Sequence, residues 1–135
     1  LGWCMGSSWP PMVRYRVFLR SLLQPLFRRW SRWQILAISI LAGLCEEAFF
    51  RGALQNSLHI VLGEAPALFV ASALFGVAHR ITWLYALLAT GFGLYFGLLY
   101  LWTGNLLTPA LTHALYDFLA LSLFLRSGPG DGESS

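Results

Sequence analysis

The chain has 135 residues, 57% of them hydrophobic and only 11% charged, with a mean hydropathy of +0.62. Charged residues make up about 25% of an ordinary soluble domain, so a water-soluble globule is excluded as the natural reading, and one helical membrane domain takes its place. The net charge of +3 comes from nine arginines, six of which (Arg14, Arg16, Arg20, Arg28, Arg29, Arg32) precede residue 33, while the first acidic residue is Glu46. Charge concentrated just ahead of apolar segments points to anionic lipid and away from a nucleic-acid partner. Cys4 and Cys45 supply neither a disulfide framework nor a zinc-finger spacing.

In chain order, residues 1–12 are rich in Gly, Ser and Pro, a turn-rich entry whose Trp3 and Trp9 suit the headgroup zone. The first residue is Leu1, which leaves room for further helices before it. From Val13 to Trp33, arginines alternate with Val17, Phe18, Leu22, Leu23, Leu26 and Phe27 at helical spacing. This predicts a basic amphipathic interfacial helix, interrupted near Pro25. Gln34 to Leu62 reads as a first span, interrupted in polarity by Glu46, Glu47 and Arg51. Pro66 suits the first turn of a second span running to Ala78, followed by His79 and Arg80. Ile81 to Trp102 is a third span, uncharged, carrying Gly93 and Gly97 at the spacing that lets helices approach closely. Thr103-Gly104-Asn105 predicts a tight turn, and a fourth span follows to Leu125. The domain boundaries expected are therefore 1–33 for the entry and interfacial segment, 34–126 for the membrane core, and 127–135 for a disordered tail.

The arginines at 14–32, Arg80 and Arg126 all fall on one side of such a bundle, and the positive-inside rule places both termini in the cytoplasm.

Ionisable groups at bilayer depth cost about 2.5 to 3.5 kcal/mol each on insertion scales, so each is a functional candidate. At ~1.5 Å of rise per residue, Glu46 lies roughly 24 Å from the outer end of its span, His79 roughly 20 Å, and His113 and Asp117 roughly 12 and 18 Å. Three segments thus deliver acids and imidazoles to one central-to-inner layer. Glu47 and Arg51 stand four residues apart and can pair, while Glu46 is turned about 100° away as the freer carboxylate. Phe75 shares a face with His79, and His113 with Asp117. A carboxylate beside an imidazole in a water-poor cavity can take a proton from water, and groups on another helix can stabilise an oxyanion.

Glu46-Glu47-Ala48-Phe49-Phe50-Arg51 matches an EExxxR motif, Phe75-Gly76-Val77-Ala78-His79 an FxxxH motif, and His113-Ala114-Leu115-Tyr116-Asp117 an HxxxN/D motif. In this order, over residues 34–125, they resemble the CPBP family (CAAX proteases and bacteriocin-processing proteins, also called Abi). The resemblance implies a glutamate-type intramembrane endopeptidase of bacterial type acting on a membrane-associated protein or peptide. Glu46 would be the general base, His79 would position the water, and His113 with Asp117 would form the oxyanion site. Glu47, Arg51 and Phe75 would be structural or secondary.

An ionised Asp117 only accepts hydrogen bonds, whereas Asn donates. Asp117 therefore either carries a proton, orients His113 or serves otherwise. Glu47 and Arg51 can be a buried ion pair that fixes packing. His59 reads as an interfacial residue. No cofactor is favoured, although Glu46, His79 and His113 together could hold Zn²⁺ with an open water position; the HExxH face of common zinc proteases is absent. A non-catalytic self-immunity or scaffolding protein of the same fold is the alternative function, and a transporter is disfavoured by the lack of inverted repeats.

Overall fold

The computed structural model describes residues 10–27 and 29–126, and every regular element among them is helical. The turn-rich entry at 1–9, including Cys4, and the tail at 127–135 lie outside the described residues, as do the side chains of Arg14, Arg16, Arg20 and Arg28.

Helix α1 spans Pro10–Phe27. The expected interruption at Pro25 does not occur, since the helix runs two residues past it. The missing N–H and the ring of Pro25 perturb only the closing turns, where the helix ends anyway. Ser31 then starts a new helix as its N-cap. Ser31 Oγ accepts from the Gln34 N–H at 3.3 Å, and Gln34 Oε1 accepts from the Ser31 N–H at 2.8 Å. That is a reciprocal capping box, in which two orphan donors are satisfied by side chains.

From this cap, α2 (Arg32–Glu47), a π-helical stretch (Ala48–Gln55) and α3 (Asn56–Leu62) follow without a break, 31 residues apolar enough to cross a membrane. Gly63, at φ +83°, allows the turn into α4 (Glu64–Ala78); only a residue without Cβ adopts this backbone at little cost. Pro66 sits in the first turn of α4, where its missing N–H would have had no partner. Thr82 caps α5 (Trp83–Thr103) by accepting from the Tyr85 N–H at 3.1 Å. Gly104, at φ +61°, closes it in the left-handed conformation, as the Thr-Gly-Asn turn foretells. Helix α6 covers Leu107–Arg126.

Three of these helical runs, 32–62, 83–103 and 107–125, are long and apolar enough to span a bilayer. The second expected span has the anticipated extent and is short for a crossing. With 15 residues, α4 covers roughly 22 Å against a hydrocarbon core of ~30 Å. The result is still an all-helical membrane bundle.

Packing divides the chain into two units, residues 39–115 and residues 1–38 with 116–135. Within the first, α4 and α5 run antiparallel through small residues. A Cβ on Gly93 would meet Ser72 Cα at 3.1 Å, one on Gly97 would strike the Leu68 side chain, and one on Gly76 would meet the Ala86 carbonyl at 2.6 Å. Leu68, Ser72 and Gly76 thus oppose Gly97, Gly93 and Ala86 in register. Gly43 admits α6 in the same way, since a Cβ there would meet the Ala110 carbonyl at 2.5 Å and the Ala114 nitrogen at 2.9 Å. Lipid tails offer no hydrophobic drive between helices, so close backbone contact through small residues supplies dispersion attraction instead.

Candidate active site

Glu47, Arg51 and Gln55 follow one another at four-residue spacing through the π-helical stretch, and all are buried, with 0, 1 and 2% of their surface exposed. In i→i+5 bonding the turn widens, and the single long helix carries its polar side chains into the bundle there. Arg51 Nη1 donates to Glu47 Oε1 at 3.0 Å and Nη2 donates to the Gly93 carbonyl at 2.7 Å. Its guanidinium carbon also lies 4.8 Å from the centre of the Phe75 ring and 5.7 Å from that of Phe96. A buried cation is tolerable only when paired and ringed in this manner. The GxxxG glycine at 93 therefore does two things: it lets α5 approach Ser72, and it presents its carbonyl to Arg51.

Glu47 Oε1 has a second donor, His113 Nδ1 on α6, at 2.9 Å. An ionised carboxylate oxygen only accepts, so the proton sits on Nδ1. His113 is buried between rings, stacked on Phe96 at 4.8 Å and edge-on to Phe75 at 5.9 Å.

His79 takes the position just past the end of α4. Its backbone N–H and its ring Nδ1 both reach the Phe75 carbonyl, at 3.2 and 2.8 Å. That carbonyl is one of the last four of the helix, which have no partner within it; because a carbonyl only accepts, Nδ1 of His79 also carries a proton. The ring stacks on Phe75 at 4.3 Å. Phe75 is thus the packing residue expected at the head of FxxxH, and it additionally braces Arg51 and His113.

With both Nδ1 atoms engaged, both Nε2 atoms are turned to Glu46. Glu46 Oε2 lies 3.2 Å from His79 Nε2 and 4.0 Å from His113 Nε2. Unlike Glu47, the Glu46 side chain retains 31% exposure, and that of His79 26%. The freer carboxylate is the one at which imidazoles from two other helices converge. Glu46 Oε2 and His79 Nε2 thus face each other as an ion pair whenever the ring is protonated.

Asp117 belongs to the other packing unit. It is partly buried, one helical turn beyond His113 on α6. His59 is exposed on α3, and Cys45 is exposed next to Glu46. Among the described residues, no group of three His, Cys, Asp or Glu side chains gathers closely enough to hold a metal ion.

Two features of the site were not anticipated from the residues: the π-helical turn, and the bond from Glu47 to His113. The anomalous polarity at 46–55 marks the first. The second joins residues 66 apart in the chain and has no local signature.

Residues 28–119 match a family described as type II CAAX prenyl endopeptidase Rce1-like. A Bacillus subtilis (strain 168) relative, named "Uncharacterized protein YpbD", is 34% identical over 92 residues, 68% of this chain and 46% of that protein. The chain therefore spans a little under half of the length of that relative. No solved structure matches it. With its EExxxR, FxxxH and HxxxD motifs gathered on one helical membrane bundle, the chain belongs to the type II CAAX prenyl endopeptidase Rce1-like group of the CPBP family.

Proposed function

We propose that the protein is an intramembrane endopeptidase that hydrolyses a peptide bond of a membrane-associated protein or peptide through water activated by Glu46. The observation that carries this reading is the convergence of Glu46 Oε2 with Nε2 of His79 and His113, at 3.2 and 4.0 Å, from three helical segments. The Glu46 carboxylate takes a proton from a water molecule as that water's oxygen attacks the scissile carbonyl carbon. The carbonyl π-bond opens to an oxyanion, and collapse of the tetrahedral intermediate breaks the C–N bond. The proton returns from the Glu46–His79 pair to the leaving amine.

His113 can serve the oxyanion only as an imidazolium. Its Nδ1 proton is committed to Glu47, so a neutral ring would present a lone pair at Nε2 and repel the developing charge. Glu47 behind it fixes the orientation of the ring through the Nδ1 bond, as an acid orienting an imidazole does in other hydrolytic sites.

Comparing new peptide termini in membranes of cells carrying wild-type protein or Glu46→Ala tests turnover and names the substrate. Termini that vanish in the variant at equal expression support the proposal. Identical termini, with the cellular phenotype preserved, favour a non-catalytic immunity or scaffolding role.

A further inference from the structure

The unit formed by residues 1–38 and 116–135 contains a cavity of about 540 Å³, within the ~300–1,000 Å³ typical of ligand sites. Phe27, Ile35, Phe118 and Leu119 give it apolar walls, and Arg32 and Ser122 interrupt them. The Ser122 hydroxyl is buried without a hydrogen-bond partner. Its ligand must therefore bring apolar length and at least one polar group.

The sign of that polar group follows from the described lining residues, among which Arg32 is the one charged side chain. Trp30, exposed at the same cavity, is the amphipathic ring that favours the headgroup level of a bilayer. Apolar walls beside an arginine and a tryptophan are complementary to an acyl chain joined to a phosphate. We infer that this cavity binds an anionic phospholipid, with one acyl chain between α1 and α6 and its phosphate paired with Arg32. The site is independent of the hydrolytic reading, since none of the residues assigned to hydrolysis lines it.

The test uses the full chain, delipidated in detergent and mixed with phosphatidylglycerol, phosphatidylcholine or a free fatty acid, with bound lipid counted by native mass spectrometry. One phosphatidylglycerol per chain is expected at a concentration about tenfold below that needed for phosphatidylcholine, a difference of ~1.4 kcal/mol. Arg32→Gln should remove this preference, while Arg29→Gln, at an exposed arginine outside the lining, should keep it. Leu119→Trp should lower occupancy by both phospholipids; if that variant fails to fold, the two arginine variants still decide. Equal retention of the two phospholipids by wild type, or equal loss in both arginine variants, would overturn the proposal. Tighter binding of the fatty acid than of phosphatidylglycerol would overturn the phosphate assignment as well.

Discussion

Glu47 and His113 are joined by a 2.9 Å hydrogen bond whose acceptor oxygen also receives Arg51 at 3.0 Å. One buried carboxylate thus holds a cation on its own helix and an imidazole on another. Removing it leaves Arg51 unpaired in the bundle, and breaking a buried pair in this way costs about 3–5 kcal/mol. Glu47→Ala should lower stability by about that amount, measured by denaturant unfolding in detergent. Adding Arg51→Met should restore part of the loss, giving a non-additive double-mutant cycle. Strict additivity would show that the two side chains are not coupled.

His79 offers a finer test, because its two ring nitrogens have different partners: Nδ1 the Phe75 carbonyl, Nε2 the Glu46 carboxylate. An asparagine reproduces the donor near the backbone, and a glutamine places its amide nearer the carboxylate. His79→Gln should retain more activity than His79→Asn, by on the order of 10-fold out of the ~10²–10⁴ that acid–base groups contribute. The reverse order in a cleavage assay would move the function of His79 from Nε2 to the helix end.

The glycines separate close approach from empty space. Gly76→Ala places a methyl 2.6 Å from the Ala86 carbonyl, whereas at Gly91 nothing lies within 4 Å. Overpacking should cost Gly76→Ala about 1–3 kcal/mol. Gly91→Ala should gain about 0.5–1 kcal/mol from helix propensity. Melting temperatures moving in the same direction for both would contradict the α4–α5 register.

With Glu46 activating water as the proposed general base, activity should survive exhaustive chelation. Loss of cleavage on chelation, restored by added Zn²⁺, would show that the side chains move together around a metal.

Much of this arrangement was legible in the residues, and the exceptions have physical causes. Depth counting and motif spacing bring Glu46, His79 and His113 to one layer, where they are found facing one another. The Glu47–Arg51 pair follows from its spacing and is present. Gly104 and Pro66 read correctly as punctuation because their backbone constraints are local. The capping box at Ser31 and Gln34 is local too, written as S-x-x-Q, but flanking arginines and tryptophans resemble an interfacial run and mask it. The π-helical stretch carries no composition of its own. Its widened turn accompanies the burial of Glu47, Arg51 and Gln55, which depends on what α5 and α6 present to it. For the same reason the role of Glu47 toward His113 is invisible along the chain: it is a fact of helix register across the bundle.

The most direct measurement is the single-turnover cleavage of a membrane peptide by purified wild type and Glu46→Gln. The amide keeps the size and the hydrogen-bonding reach of the carboxylate but cannot take a proton from water. A rate reduced by about 10²–10⁴, with an unchanged melting temperature, is the expected result. Cleavage by Glu46→Gln within a few-fold of wild type would show that another group activates the water, and the hydrolytic role of Glu46 would fall.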